Sequence, residues 1–237
     1  MAEWIKIELA KYPFLVREEN GVCFLHSMGR TDYRSEEKRV WLKDLLGLSR
    51  IACIQQVHGS MILAARGVRK DSKGDGLILS DGDGSMGIAV LTADCVPLLI
   101  IAPEHLILLH VGWKGLARGI VHEGVKILKD IYGGLENIKI WFGPHIKQCC
   151  YIVGDDVLDT LDRVLPYPTL NHAIKKVGEK THLSLNTCIM KVLENKGLSP
   201  NAFKDSGFCT CCSQVFPSYR REGDKAARLI NLAWRRW

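Results

Sequence analysis

The amino-acid sequence predicts an α+β fold, a mixed sandwich rather than a doubly wound sheet, on three observations. Strand-like segments outnumber helical ones. They fall in clusters, without the strict β–α alternation that builds a parallel sheet. No linker divides the 237 residues. The nearest candidate, Lys73-Gly74-Asp75-Gly76 through Asp81-Gly82-Asp83-Gly84-Ser85, lies between strand-like runs and reads as turns. One domain over residues 1–237 is expected, since a chain with 47% hydrophobic residues is long enough to fill a core.

Taken in order, residues 4–9 and 22–26 read as strands, the second ended by the Gly29-Arg30 turn. Residues 35–46 set Val40, Trp41, Leu45 and Leu46 at helical spacing among charges, with Ser35 as a start and Gly47 as a stop. A strand over 51–57 delivers His58. Strands over 76–80 and 86–91 follow, the second running into Thr92-Ala93-Asp94-Cys95, and then strands over 96–101 and 106–111, the last closing on His110. Residues 119–131 collect Ile120, Val121, Val125, Ile127 and Leu128 on one helical face. A strand over 138–142 stops at Gly143-Pro144. Helices are predicted over 155–165 and 186–196, the latter ending at Gly197, and a C-terminal helix over 224–234; residues 202–208 carry no clear period.

Several function classes fall away on composition. The longest apolar run, 96–103, is broken by two prolines and is far short of the roughly 18–20 residues of a membrane span. The N-terminus mixes acidic with apolar residues and has no signal-peptide core, so the expected compartment is the cytoplasm. Nine cysteines, an odd number, suit reduced thiols. Cys209-Thr210-Cys211-Cys212 contains a Cys-x-x-Cys spacing, but adjacent Cys149-Cys150 is a poor second pair, and these thiols are read as buried or weakly functional. A net charge of +6, with basic stretches only at 218–221 and 234–237, lacks the contiguous patch and module of a nucleic-acid binder. A small anionic substrate fits better.

Three segments carry the chemistry: Gln56-Val57-His58-Gly59, Thr92-Ala93-Asp94-Cys95-Val96-Pro97 and His110-Val111-Gly112-Trp113-Lys114-Gly115. Singly, His58, Cys95 and His110 would be turn, core or strand-end residues. Together they form a three-ligand set for a zinc ion with one position open, which would acidify water or polarise a substrate atom. A metal-free alternative makes Cys95 a nucleophile with His110 or His58 as its base; the second histidine favours the metal. Asp94 and Asp75 are candidate carboxylates for proton transfer or for orienting a histidine, against a bland role in turns. Tyr219, Arg220 and Arg221, within Phe216-Pro217-Ser218-Tyr219-Arg220-Arg221, suit stacking a base and clamping phosphate, as does Lys114 for charge; the alternative is a solvated arginine pair.

With Gly143-Pro144-His145-Ile146-Lys147-Gln148-Cys149-Cys150-Tyr151 and Cys209-Thr210, these segments resemble, in order over roughly 51–230, the laccase-domain family, labelled multicopper polyphenol oxidoreductases and also described as purine nucleoside phosphorylases. The resemblance implies a four-layer α/β/β/α sandwich and zinc held by His58, Cys95 and His110. It also implies phosphorolysis of adenosine, inosine and methylthioadenosine with adenosine deamination, the partners being a nucleoside and phosphate. A Cu2+ oxidase is the alternative the family label carries, though eight histidines form no dedicated copper pairs. A monomer or homodimer is expected. The chain departs from the family at His26-Ser27-Met28-Gly29-Arg30, where Arg30 is the candidate for a missing arginine, at Lys114, where arginine is common, and at Pro217.

Overall fold

Alternation along the strand Val96–Ile101 sends Val96, Leu98 and Ile100 into one hydrophobic cluster and Leu99 and Ile101 into another. A strand buried on both faces requires a layer on each side, and the computed structural model, which describes residues 3–236, supplies both. Met1, Ala2 and Trp237, the last of these ending the terminal basic stretch, lie outside the described residues.

One six-stranded sheet runs in the order Ile5–Leu9, Tyr12–Glu19, Val22–Ser27, Leu229–Arg235, Met86–Thr92, Arg50–Cys53. The other runs Phe203–Asp205, Lys139–Phe142, Val96–Ile101, His105–Val111, Gly76–Ser80, Ile62–Ala64. Both are mixed: the pairs Arg50–Cys53 with Met86–Thr92, Ile62–Ala64 with Gly76–Ser80, and Lys139–Phe142 with Phe203–Asp205 are parallel. The sheets meet face to face through Phe24, Ile88 and Val90 of the first and Leu77, Leu99, Leu108 and Trp141 of the second. On the outer face of the second sheet pack the helices Ile120–Tyr132 and Leu185–Asn195. On the outer face of the first, the helix Glu36–Leu45 buries Leu42 beside Phe14, Leu25 and Ile230. The result is the helix–sheet–sheet–helix sandwich the resemblance implies. A small third sheet joins Ile152–Val153, Lys180–Leu183 and Ile174–Val177.

Local signals behave as their chemistry dictates. Ser35 caps its helix by accepting from the Lys38 N–H. Gly133 ends Ile120–Tyr132 at φ 72°, a left-handed turn that a side chain resists. One expectation is corrected. Residues 224–234 form no long helix: Leu229–Arg235 is a strand inserted between Val22–Ser27 and Met86–Thr92. Its apolar run fits a buried strand as well as a helical face, and pairing on both edges decides the outcome. The strand expected over 51–57 also stops at Cys53, leaving His58 on a loop.

The pair Val22–Ser27 and Leu229–Arg235 buries His26, whose Nδ1 lies 2.7 Å from Asn231 Oδ1 while its Nε2 has no partner. Burial holds its pKa down at about 3, against an ordinary 6.5. The unfolded chain therefore takes up a proton at this site below pH 6.5 that the folded chain refuses until about pH 3. Stability is full above that window and falls through it by up to about 1.4 kcal/mol per pH unit. Denaturation curves from pH 7 to 4 should show a shallower decline for His26→Gln; parallel slopes would refute the assignment.

A candidate metal centre at the sheet end

The antiparallel pairing of Val96–Ile101 with His105–Val111 sets Pro97 opposite His110, so the residues just beyond, Cys95 and Gly112, meet at the end of the sheet. On the other side, His105–Val111 pairs with Gly76–Ser80, and the His110 N–H donates to the Asp75 carbonyl at 2.8 Å. Two hairpin registers thus bring residues 75, 95 and 110 to one place.

His58 is drawn in by a different device. The wholly buried Asp75 carboxylate accepts from the backbone N–H groups of Val57 (3.2 Å), His58 (2.9 Å) and Gly59 (2.6 Å). The same carboxylate lies 2.8 Å from His110 Nδ1. An ionised carboxylate only accepts, so Nδ1 carries a proton, and Nε2 is the nitrogen that can bind an ion once its own proton is released. Burial pushes the Asp75 pKa up, but the His110 ring and the N–H groups of Gly59 and Val57 outweigh it and hold the carboxyl below its ordinary range. At His110 burial acts downward, and the neighbouring Cys95 and Asp75 carry the pKa up to about 9.

One ligand-type atom from each of His58, Cys95 and His110 lies within 4.8 Å of the others. The histidine rings are 4.8 Å apart between centroids. Two imidazoles and a thiol, with one ring oriented by a carboxylate, form a donor set that fits a borderline divalent ion. Backbone strain is concentrated here as well: His58 at φ 54° and Asp94 at φ 92° are left-handed residues without the freedom of glycine.

Gly112 is required for space. A Cβ there would sit 3.0 Å from Cys95 Sγ and 3.2 Å from His58 Nδ1. Gly112→Ala should displace a donor by tenths of an ångström and weaken metal binding on the order of 10-fold, with little loss of thermal stability. Competition against a chromophoric chelator measures this, and unchanged affinity would contradict it.

The centre opens into a pocket of about 870 Å³ lined by Lys114, Tyr151, Tyr219 and Arg220 together with Arg34, Arg39 and Arg228. Asp94 lies at its edge, buried, accepting from Thr210 Oγ1 (2.6 Å), Ser218 Oγ (3.0 Å) and the Arg220 N–H (2.6 Å). It ties the turn at 210 and the helix Tyr219–Glu222 to the bend between Met86–Thr92 and Val96–Ile101 that carries Cys95. The Arg220 guanidinium lies 5.4 Å over the Tyr151 ring, and that of Arg228 5.8 Å over Tyr219.

Residues 26–236 match the family model described as multi-copper polyphenol oxidoreductase laccase. The chain belongs to that family. It is 30% identical over 196 residues to a purine nucleoside phosphorylase of Clostridium acetobutylicum, covering 81% of this chain and 79% of that one. It is also 30% identical over 184 residues to purine nucleoside phosphorylase YfiH of Escherichia coli, covering 76% and 72%. The crystal structure of YlmD from Geobacillus stearothermophilus shares the fold, with a TM-score of 0.85 at 24% identity over 99% of this chain and all of that one.

Against this laccase-family frame two expectations are corrected. Arg221 does not line the pocket: its guanidinium donates to the carbonyls of Thr210, Cys211 and Phe216 and pairs with Glu222, a use that fixes a turn rather than a substrate. Arg30 is exposed outside the pocket, whereas Arg34 and Arg39 line it. Arg34 pairs with Asp32 and Arg39 donates to the Tyr33 and Arg34 carbonyls. Neither follows from a motif, since both sit at the start of a charged helix whose polar face looks like any solvated one. In this family member Asp75, not Asp94, is the carboxylate that meets a histidine. Gln56 is structural: its amide takes both the Leu91 N–H and the Leu91 carbonyl, at 2.7 and 2.8 Å.

No helix is long and apolar enough to cross a membrane among the described residues.

Proposed function

We propose that the chain is a zinc-dependent purine nucleoside phosphorylase that also deaminates adenosine. The convergence of His58, Cys95 and His110 on a cationic, aromatic pocket supports the reading more than any other observation. His58, Cys95 and His110 would hold the ion, one thiolate and two imidazoles suiting zinc better than the histidine-rich sets of multicopper oxidases. When bound, it supplies a Lewis acid beside the substrate.

The chain's own residues do the rest. Arg220 and Lys114, with Arg228 beside them, concentrate positive charge where phosphate would lie. Tyr219 offers a half-exposed ring on which a purine can stack. Asp75 keeps His110 in one tautomer and orientation. In phosphorolysis a C1′–O bond forms as C1′–N9 breaks, and the proton shed by phosphate ends on the departing base. Deamination replaces the C6 amino group with water's oxygen and releases ammonia. A pocket of about 870 Å³ is ample for a nucleoside and an anion together.

Incubating the metal-replete protein with adenosine and phosphate should yield adenine and ribose 1-phosphate, with inosine from the second activity. Metal-loaded protein that leaves adenosine unchanged would overturn both. A second reading has its own observation: Cys95, His110 and Asp75 lie in the order of a thiol, its base and the base's orienter. Ester hydrolysis by metal-stripped protein, abolished by alkylating Cys95, would favour it.

A further inference from the structure

The sequence set Cys149-Cys150 and Cys209-Thr210-Cys211-Cys212 apart as unmatched thiols, yet the fold joins them. The loop that carries Cys149 and Cys150 is bridged to the one that carries Cys209: Thr210 N–H donates to the His145 carbonyl at 3.1 Å, and His145 N–H to the Phe208 carbonyl at 3.4 Å. The sulfurs of Cys149, Cys150, Cys209 and Cys212 consequently lie within 4.8 Å of one another, Cys150 to Cys212 at 3.1 Å and Cys149 to Cys212 at 3.4 Å.

We propose that these four cysteines form a second metal centre, a tetrathiolate site for zinc, separate from the pocket. Three features carry it. Four sulfurs around one ion with bonds of about 2.3 Å stand about 3.8 Å apart; the four here all lie within 4.8 Å, with Cys212 at 3.1 and 3.4 Å from Cys150 and Cys149, too far for a disulfide's length of about 2.05 Å. Cys209 Sγ accepts a backbone N–H from Lys147 at 3.4 Å, and the N–H groups of Cys211 and Cys212 bear on the same sulfur. Such donors stabilise a thiolate. The Cys209–Cys212 spacing closes on a turn in which Ser213 N–H donates to the Cys209 carbonyl at 3.0 Å.

The location gives the centre a structural task. None of the four cysteines lines the pocket. The Cys150 carbonyl receives the Arg220 guanidinium at 3.4 Å, and the Arg221 guanidinium grips the carbonyls of Thr210 and Cys211. An ion here would cross-link the loop that carries Ile146 and Tyr151 into the pocket lining to the turn at 209–212, which the Arg221 side chain holds. All four coordination positions are filled by protein, as in a site that holds a fold rather than one that reacts. Binding would release the thiol protons, so uptake should be accompanied by acidification of a weakly buffered solution.

This centre does not depend on the reaction assigned to the pocket, and its test reads metal rather than turnover. The Cys95→Ala variant removes one donor of the first centre. Elemental analysis of that variant should retain about one zinc per chain, and its X-ray absorption should report four sulfurs at about 2.3 Å. Cys209→Ser combined with Cys212→Ser should lose this zinc and keep the one at the histidines. Should either variant fail to fold, the wild-type protein still decides: its intact mass under native conditions should carry two ions, and its four clustered cysteines should resist alkylation until a chelator is added. Four freely alkylated thiols in metal-replete protein, a mass lighter by two hydrogens from a disulfide, or absorption dominated by nitrogen and oxygen in Cys95→Ala would each overturn the proposal.

Discussion

Asp75→Asn is expected to lower metal affinity at His58, Cys95 and His110 by 10–100-fold and to destabilise the fold by about 3–5 kcal/mol. An amide presents one oxygen and one NH2. Whichever way it turns, the NH2 faces donors that cannot rotate: the Val57 and Gly59 N–H groups at one position, the His58 N–H and His110 Nδ1 at the other. At least one buried backbone donor loses its acceptor, and either the tautomer of His110 or the loop bearing His58 is no longer held. At roughly 2–4 °C per kcal/mol for a chain of this size, the thermal midpoint should drop on the order of 10 °C. Calorimetry and metal titration check the two halves. A variant with wild-type metal affinity would remove Asp75 from the account of the site.

The second large effect separates two roles for Asp94. Asp94→Ala should cost about 3–5 kcal/mol, because three charge-assisted hydrogen bonds are lost from a buried acceptor and alanine resists φ 92°. Asp94→Asn should be far milder. Asparagine tolerates left-handed backbone, its oxygen can keep the Arg220 N–H, and the Thr210 hydroxyl can turn to accept from the new NH2. If Asp94 positions Arg220, the asparagine variant retains kcat and shows at most a raised KM for phosphate. If Asp94 carries a proton in the reaction, kcat collapses although the fold survives. The geometry predicts the former, since all three hydrogen bonds the carboxylate makes serve the turn at 210 and the helix Tyr219–Glu222.

The sequence was most legible where a single physical rule decides the outcome. Gly76–Ser80 and Val96–Ile101 emerge with the bounds that β-branched and aliphatic runs between turn residues imply. Ser35 and Gly47 bracket their helix for reasons of capping alone. Where two rules compete, the sequence alone does not decide. Leu229–Arg235 is apolar on both faces, which suits a buried helix and a central strand equally, and only the two waiting partners choose. The site divides in the same way. His58, Cys95 and His110 could be named because each sits close to a residue that allows tight backbone geometry, Gly59, Pro97 and Gly112. Asp75 was harder to distinguish from an ordinary turn residue, since its importance lies in three backbone N–H groups that no side-chain pattern reports. Arg221 looks like a phosphate ligand in sequence, but its guanidinium meets carbonyls that exist only once the turn at 210–216 has closed. The cysteine cluster escaped because Cys149 and Cys212 are brought together by loops of irregular backbone, which carry no period.

The placement of Leu229–Arg235 bears on biosynthesis. Its neighbours, Val22–Ser27 and Met86–Thr92, leave the ribosome long before it does, and until it arrives each exposes a bare row of amides and carbonyls. The first half of the sandwich must therefore wait, half-built, for its keystone. A nascent chain stalled before Leu229 should engage chaperones that a chain released after Arg236 no longer needs.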